Sequence, residues 1–524
     1  MSSLFFLPHI QFNSFPSFLI YALASLILYV GLTTRSTRPL PPGPRLGLFP
    51  SVKLPRAYQW LTYAKWRHIY GDMIYLRIFG NPIMVINSQA VAEELLERRS
   101  KKYSSRPVRT MVVELMGWDW LFSSMPYGPR WRDHRSLFHR HFRRHLTSNY
   151  HPVALKETHA TLRNLLDSPE LYAHHIRRFD GCVRTAAAII LKISYGHSIS
   201  DRGDIYVTIA DNAMRGLGKA GIFGTYLVDY LPFLKYVPEF MPGAGFKRQA
   251  RVWRGMAREM IEKPFQMVKE RIENGAPSSC FAQKELEMWM QSSKRDPEYE
   301  TLIKNVAGIS YAGRTVSVLL SFILAMVVYP KVQRKIQQQL DDTLGMQRLP
   351  TFADRAKLSI IDCVVWECLR WNPVLPLGLV HFVSEDDEYG GYSIPKGTSI
   401  LPNVWAMLHD ETCYPNPMDF DPDRFVDRKR NMKLGINKFP QAAFGFGRRL
   451  CPGRWLAMDS VWIAIASILT VYTIEKPLSE DGVEISPSVE YTSSLMSHPK
   501  PFQCRFVPRN ERAMYLIKQT ATLT

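Results

Sequence analysis

A glycine-rich stretch around one cysteine, residues 444–453, constrains the fold of this 524-residue chain more than any other feature. It reads Phe-Gly-Phe-Gly-Arg-Arg-Leu-Cys-Pro-Gly, and its glycines let the backbone turn tightly and approach a flat ligand closely. The apolar residues 455–470 that follow predict a helix, so Cys451 stands just before a helix N-terminus. The helix dipole and the free N–H groups at that position favour the thiolate form of a cysteine.

A thiolate on such a turn has the chemistry of an axial haem ligand, which pushes electron density towards O–O cleavage. The pattern Phe-x-x-Gly-x-Arg-x-Cys-x-Gly resembles the haem-binding signature of the cytochrome P450 monooxygenases, and its matching residues are Phe444, Gly447, Arg449, Cys451 and Gly453. A buried structural cysteine is the alternative, but five matches in ten positions disfavour it. The resemblance implies haem b with Cys451 as the iron ligand. It also implies a mainly α-helical fold with small β-sheets.

Three further positions resemble the elements that bind the haem propionates in this family. Trp131 and Arg135 lie one helical turn apart on a basic helix and match its Trp-x-x-x-Arg element. His381 follows a helix-breaking stretch and matches a propionate-binding histidine. The resemblance therefore implies that these residues, together with Arg449, donate to the propionates. The alternatives are a solvated helix edge for the Trp–Arg pair and a solvated loop for the histidine.

Two motifs predict a structural ion-pair network. Glu367 and Arg370, at i and i+3, can pair on one helix face. Residues 422–425, Pro-Asp-Arg-Phe, resemble the family's Pro-x-Arg-Phe element. The resemblance implies that Arg424 joins Glu367 and Arg370 in a buried triad that supports the core on the haem side.

The chain departs from the family on the helix that should cover the haem, predicted over residues 301–329. The family carries Ala-Gly-x-Asp/Glu-Thr there, an acid and an alcohol that relay protons during dioxygen use. Residues 312–316 read Ala-Gly-Arg-Thr-Val, as though two residues were missing, and two residues correspond to about 200° of helical rotation. Thr315 is the only hydroxyl that the sequence places near the expected position and is the candidate catalytic residue. Altered proton delivery, weakened activity and an error in the gene model all remain open.

The N-terminal residues predict a membrane attachment. Residues 15–32 carry no charge and come close to the about 20 apolar residues that span a bilayer. Arg35 and Arg38 follow this stretch and no Lys or Arg precedes it, so the positive-inside rule places the remainder in the cytosol. A cleaved signal peptide is the alternative, although it lacks its basic n-region. We expect a single-pass protein of the endoplasmic reticulum membrane with an anchor over residues 1–34, a proline-rich hinge over 35–50 and a haem-thiolate catalytic domain over 51–524.

The formal net charge of +19 suits an anionic partner. The sequence carries no nucleic-acid-binding signature, so we expect no nucleic acid. It also carries no flavin or nicotinamide fingerprint. The resemblance therefore implies electrons from NADPH through a separate NADPH–cytochrome P450 reductase, with cytochrome b5 as a second donor. We expect an acidic reductase to bind a basic surface formed by Arg132, Arg140, Arg143 and Arg144, for which a solvated helix face is the alternative.

The resemblance implies insertion of one oxygen atom of O₂ into an apolar organic substrate. The catalytic half of the chain resembles microsomal fungal members that act on terpenoids, polyketides or aromatic xenobiotics. Two alternatives come from the altered helix motif. One is a haem-thiolate isomerase or dehydratase that needs no NADPH. The other is a catalytically weakened haem protein that binds a lipophile without turnover.

Overall fold

The structure, a computed structural model, describes residues 38–44, 55, 57–167, 180–200, 203–276, 278–311, 315–427 and 436–522. The predicted anchor lies outside these ranges, and of the predicted hinge only residues 38–44 lie inside them.

The described residues are mainly helical, as predicted. The helices are α1 (Gln59–Tyr70), α2 (Gln89–Ala92), α3 (Ser100–Tyr103), α4 (Pro129–Phe142), α5 (His151–Asp167), α6 (Asp180–Tyr195), α7 (Ile205–Ala220), α8 (Gly245–Glu273), α9 (Phe281–Gln291), α10 (Pro297–Tyr311), α11 (Thr315–Val328), α12 (Pro330–Leu344), α13 (Ser359–Trp371), α14 (Val404–Leu408), α15 (Arg454–Val471) and α16 (Glu511–Gln519). Short π-helical segments span Glu93–Arg98 and Thr110–Leu115. Short 3₁₀ turns span Arg144–Tyr150, Leu227–Asp229, Pro232–Tyr236, Phe352–Asp354, Pro422–Phe425, Gln441–Phe444 and Gly447–Arg449.

Small sheets complete the fold. The strands are β1 (Met73–Ile78), β2 (Asn81–Ile86), β3 (His381–Phe382), β4 (Asp387–Tyr389), β5 (Tyr392–Ile394), β6 (Ser399–Pro402), β7 (Tyr472–Glu475) and β8 (Arg505–Pro508). One sheet has the order β1-β2-β6-β3, in which β2 and β6 are parallel and the other pairs are antiparallel. Strands β4 and β5 pair with each other, as do β7 and β8. The register of β3 against β6 sets His381 opposite Ile400 and thereby fixes the predicted histidine on a strand.

Helix α15 lies in the core and packs against α5, α11, α12, α13 and α16. Its apolar residues are spread around the helix rather than on one face, as expected for a helix that the protein surrounds. Within the described part of the chain, it is the single helix long and apolar enough to cross a bilayer, and 83% of it is buried inside the protein. The helices Val316–Val328 and Pro330–Leu344 are long and apolar enough to cross a bilayer only when they are taken together, and the chain bends by 105° between them.

Within the helix predicted over residues 301–329, the structure describes α10 as far as Tyr311 and α11 from Thr315. Residues 312–314, where the motif departs from the family, lie between them and outside the described ranges. Side chains on each helix bind different neighbours. Asn305 of α10 lies 3.1 Å from the His134 ring, whereas Ser317 of α11 donates to the Ser497 carbonyl at 2.6 Å. The two helices therefore have independent anchors.

The predicted ion-pair network is present in the core. Arg370 donates to both carboxylate oxygens of Glu367 at 2.7 and 2.9 Å, and Arg424 donates to one of them at 3.1 Å. Glu367 and Arg370 are completely buried. The remaining donors of Arg370 bind the carbonyls of Leu408, Pro417 and Asp419. The network thus ties α13 to the irregular segment that precedes the cysteine loop.

Removing the acid of this network should destabilise the protein strongly, because it leaves two buried guanidinium groups without an anion. We expect Glu367→Ala to lower the free energy of unfolding by about 3–5 kcal/mol, measured by denaturant titration with circular dichroism. The control is Glu475→Ala, which removes the exposed pair with Arg505 and should cost at most about 1 kcal/mol. Equal losses in the two variants would contradict the structural role.

Candidate active site

The cysteine loop has the tight backbone that its glycines predict. Gly445 and Gly447 have φ values of +84° and +52°, and the N–H of Cys451 donates to the Phe444 carbonyl at 2.8 Å. A Cβ atom on Gly447 would lie 2.1 Å from the Leu96 carbonyl oxygen, so no side chain fits there. Gly453 is the N-cap residue of α15. Cys451 therefore lies just before a helix N-terminus, as the sequence indicates.

A cavity of about 320 Å³ lies against this loop. Its wall brings together most of the predicted haem-binding residues, which are Trp131, Arg135, His381, Phe444, Arg449, Cys451 and Gly453. Gly447 is not in the wall and instead packs against the backbone of residue 96. The Glu367, Arg370 and Arg424 network lies away from the cavity, consistent with a structural role.

Trp131 and Arg135 both face the cavity from α4, and their polar groups are not used by the part of the protein that the structure describes. The ring of Trp131 lies under the guanidinium of Arg449, with 4.5 Å between the guanidinium carbon and the ring centroid. Among the described residues, neither the Trp131 indole N–H nor the Arg135 guanidinium has a hydrogen-bond partner. Burial lowers the pKa of Arg135 to about 10, and the nearby sulfur of Cys451 acts in the opposite direction.

Arg449 connects the cysteine loop to the segment between α3 and α4. It donates to the carbonyls of Ser104 at 2.6 Å, Phe122 at 3.2 Å and Met125 at 2.7 Å. Three of its five N–H bonds are thus used, and two remain for another acceptor. Burial, together with repulsion from Arg106 and Arg135, lowers the pKa of Arg449 to about 8.

His381 is buried beside these cations. Its Nδ1 lies 2.9 Å from the Tyr103 carbonyl and donates to it. Burial holds the pKa of His381 well below its usual range, and the charges of Arg106 and Arg449 add to this effect. The ring is therefore neutral, and its Nε2 accepts rather than donates a hydrogen bond until an anion in the cavity stabilises the protonated form.

Arg106 is a cavity residue that the sequence did not reveal. It donates to the carbonyls of Ser123 at 3.0 Å, Leu379 at 2.8 Å and Val380 at 2.5 Å. Burial lowers its pKa to about 9. In the sequence, Arg106 is a lone arginine at the start of an apolar segment. Nothing in that pattern indicates that its side chain points into a cavity.

Arg106, Arg135 and Arg449 therefore face one cavity, and no described carboxylate lies within ion-pair distance of any of them. Buried cations without an anion are costly. A flat cofactor with two carboxylates, such as haem, supplies the missing negative charge. The cysteine, the glycine-rich loop and the unpaired donors of this structure thus fit a haem group.

The candidate catalytic residue Thr315 is the first residue of α11, and its side chain lies outside the described parts of the structure. Ser310 is a second hydroxyl near the altered motif, and the sequence reading was wrong to name Thr315 as the only one. The Ser310 side chain lines the cavity, and its Oγ lies 2.7 Å from the Ala307 carbonyl and 2.7 Å from the Ser194 Oγ. Ser310 belongs to no motif that the sequence shows, so its place in the cavity wall could not be predicted.

The rest of the cavity wall is largely apolar. Leu121 and Phe122 come from the segment before α4, Ile309 from α10 and Val374 from the residue run after α13. An interior with these walls selects an apolar ligand, because apolar surface is favourably removed from water there.

Comparisons with known proteins agree with the site. The Cytochrome P450 family model matches residues 38–506. Cytochrome P450 monooxygenase 98 of Postia placenta is 40% identical, over 94% of this chain and 95% of the relative. Cytochrome P450 monooxygenase COX2 of Coprinopsis cinerea is 37% identical, over 92% of this chain and 91% of the relative. A zebrafish cytochrome P450 structure with abiraterone has a TM-score of 0.67 at 20% identity, covering 86% of this chain and all of that one, and shares the fold.

The fold and the cysteine cavity define a haem-thiolate oxidoreductase, and the chain belongs to the cytochrome P450 family as a monooxygenase. Membership implies a haem cofactor, a redox partner and a small-molecule substrate. The predicted fold class is confirmed.

The unpaired guanidinium of Arg135 provides a direct test of the haem site. If it binds a propionate, Arg135→Leu should accelerate transfer of haem to an excess of an apo-haem protein by about tenfold or more, since a hydrogen bond to a charged group contributes about 1.5–3 kcal/mol. The control is Arg132→Leu, an exposed arginine on the same helix. Identical haem-transfer rates in the two variants would show that Arg135 does not hold the cofactor.

Proposed function

We propose that this protein uses haem b to insert one oxygen atom of O₂ into a lipophilic substrate such as a terpenoid, a polyketide or an aromatic xenobiotic. Electrons come from NADPH through NADPH–cytochrome P450 reductase, with cytochrome b5 as a second donor. The observation that carries the proposal is the cavity that joins Cys451 to three buried or half-buried arginines, none of which has an acidic partner among the described residues. Haem, when bound, supplies the activation of dioxygen.

In this proposal Cys451 would hold the haem iron through its thiolate. Its position before α15 and the electrostatic contacts of its sulfur with Arg135 and Arg454 favour the thiolate. Arg454 also donates to the Cys451 carbonyl at 3.0 Å, which fixes the residue from the helix side. The N–H of Cys451 is bound within the loop. The protein thus holds the sulfur in place before the cofactor binds.

In this proposal the propionates bind to the N–H groups that make no hydrogen bond with the described residues. Trp131 offers its indole N–H, Arg135 its whole guanidinium and Arg449 the two N–H bonds that the backbone carbonyls leave free. A carboxylate beside His381 raises the proton affinity of its ring, so that Nε2 becomes a donor as well. Gly445 lines the cavity without a side chain, so the loop backbone leaves room there for a flat ring.

We propose that Thr315 delivers protons in place of the missing acid and alcohol pair. A hydroxyl can pass a proton through water without changing its own charge. Ser310 is less suited, because its Oγ is already within hydrogen-bond distance of the Ala307 carbonyl and of Ser194.

The proposed reductase surface reaches the start of α15 through Arg144. Arg132, Arg143 and Arg144 are exposed, and Arg144 lies over the ring of Trp455, with 4.8 Å to the centroid. Trp455 is four residues from Cys451, so this part of the surface lies close to the cysteine loop. Arg140 contributes less, because it pairs with the buried Glu285 at 3.5 Å.

We also propose a single-pass attachment to the endoplasmic reticulum membrane through residues 1–34, with the catalytic domain in the cytosol. Exposed aromatic side chains outside this anchor support a second contact with lipid. Phe79 lies at the β1–β2 turn and contacts Tyr230, and Phe233, Tyr236 and Phe240 follow Tyr230 in the chain. Phe240 is 86% exposed. Aromatic side chains of this kind suit a membrane interface.

The proposed reaction is tested by product analysis with the membrane-bound protein, purified reductase and a panel of terpenoids and polycyclic aromatics. We expect an oxygenated product whose formation needs both NADPH and reductase. The same amount of product without NADPH would instead support the isomerase or dehydratase reading that the altered motif of α10–α11 favours. Substrate binding without any product would support a weakened haem protein.

The proton-delivery proposal predicts that Thr315→Ala lowers product formed per NADPH consumed and diverts electrons to hydrogen peroxide, with haem content unchanged. Ser310→Ala should have the smaller effect because its hydroxyl is already bonded. A larger effect of Ser310→Ala than of Thr315→Ala would indicate that Ser310 delivers the protons. A large gain in product per NADPH on inserting Asp-Thr between Arg314 and Thr315 would instead show that these two residues are missing from the sequence by accident. No change in any variant would contradict the oxygen-activation role of this region.

The reductase surface predicts a salt-dependent first electron transfer, because steering by exposed charges is screened by ions. Charge reversal at Arg143 and Arg144 should slow reduction of the iron by the reductase in stopped-flow absorbance while substrate affinity stays the same. Arg215→Glu, on α7 far along the chain from the cysteine loop, is the control and should have no effect. Equal rates at all salt concentrations and in all variants would identify a merely solvated helix face.

A further inference from the structure

Helix α8 begins with a concentration of positive charge, which we call the α8 cation face. Residues 245–258 contain five cations and no acid, and the next carboxylate along the helix is that of Glu259. The five cations are Lys247, Arg248, Arg251, Arg254 and Arg258. With about 3.6 residues per turn, they fall within roughly 120° of the helix circumference. The charges therefore lie on one side of the helix rather than all around it.

Carboxylates of the protein neutralise only part of this charge. Glu239 pairs with Arg251 at 2.5 Å, and Asp119 pairs with Arg258 at 2.6 Å. The other three cations of the face form no ion pair with the residues that the structure describes. The α8 cation face thus keeps three positive charges that suit an anionic partner.

The exposed aromatic residues that precede α8 are fixed directly against this face. Lys247 donates to the Val237 carbonyl at 2.8 Å, and Arg248 donates to the Glu239 carbonyl at 2.6 Å. Phe240, the residue after Glu239, is largely exposed. Apolar side chains and unpaired cations therefore lie in one continuous surface, which is the combination found at the interface of an anionic membrane.

This surface lies near the segment that leads to the proposed anchor. The Pro42 carbonyl accepts a hydrogen bond from the N–H of Tyr75 on β1 at 2.9 Å. Phe79 lies four residues further on, about 13 Å along the strand direction, and its ring centroid is 6.2 Å from that of Tyr230. The aromatic residues that follow Tyr230 are therefore on the side of the protein where the N-terminal segment is bound.

We propose that the α8 cation face binds the headgroups of anionic phospholipids at the membrane surface, beside the aromatic residues that enter the lipid. This inference rests on the proposed membrane attachment and names the lipid that its second contact selects. A cation near an anionic bilayer strengthens binding by about fivefold. The neighbouring aromatic side chains favour a lipid surface over an acidic protein, because aromatic rings are stabilised at the interface of a bilayer.

The test uses the haem-loaded full chain in phosphatidylcholine vesicles that contain spin-labelled phosphatidylserine or spin-labelled phosphatidylcholine. Electron paramagnetic resonance then measures the preference of the protein for the anionic label. We expect a preference for phosphatidylserine that the double variant Arg248→Gln, Arg254→Gln lowers by about threefold or more, because it removes two exposed cations of the face. The carbonyl spectrum of the reduced haem should stay unchanged, which shows that the variant is folded.

Two further variants serve as controls. Arg248→Lys, Arg254→Lys retains both charges and should retain the preference. Lys331→Gln, Arg334→Gln removes two exposed cations of α12 and should retain it as well.

An equal preference in the unmodified protein and in the Arg248→Gln, Arg254→Gln variant would overturn the proposal, because other cations of the chain would then account for it. An equal loss in the α12 control would overturn it too, since that result indicates an effect of net charge alone. An unchanged lipid preference together with slower reduction by the reductase would assign the face to an acidic protein instead.

Flotation of the full chain with vesicles of pure phosphatidylcholine tests the anchor separately. Flotation with these vesicles and no preference for phosphatidylserine would support the attachment and contradict the cation face. A chain that floats only with vesicles containing phosphatidylserine, and only while Arg248 and Arg254 are present, would contradict the anchor and support the cation face. Flotation with neither kind of vesicle would contradict both.

Discussion

Three backbone carbonyls converge on the guanidinium of Arg449, and this contact holds the cysteine loop against the segment that covers it. Ser104, Phe122 and Met125 belong to a stretch with little regular structure, which otherwise has few ways to satisfy its backbone. A single residue two positions before Cys451 thus fixes both the loop and the wall of the cavity. The same group remains positively charged and partly unsatisfied, so that it also favours an anionic ligand.

Buried positive charge recurs on two sides of the core, with opposite outcomes. At Glu367 one carboxylate binds the guanidinium groups of both Arg370 and Arg424, and the network stabilises the irregular segment before the cysteine. At the cavity, Arg106 and Arg449 have no carboxylate within ion-pair distance among the described residues. The first arrangement is complete without a ligand. The second is costly until an anion enters, and this difference distinguishes scaffold from binding site.

Local patterns allowed much of this architecture to be predicted from the sequence. The cysteine loop could be predicted because its glycines and the following helix are adjacent in the chain, and the triad because each of its motifs is short. Arg106 and Ser310 could not, because their roles depend on contacts with residues far away in sequence. The neighbours of the helix predicted over residues 301–329 could not be predicted either. Asn305 and Ser317 contact different parts of the protein, and hydrophobicity alone does not report such contacts.

The central claim is that Cys451 binds the haem iron, and the absorbance of the reduced carbonyl complex tests it most directly. We expect Cys451→Ser to lose the red-shifted Soret band of that complex, because an alcohol is a far poorer iron donor than a thiolate. Cys413→Ser, at another half-exposed cysteine, should keep the band. Persistence of the band in Cys451→Ser would show that a different residue is the ligand and would contradict the account.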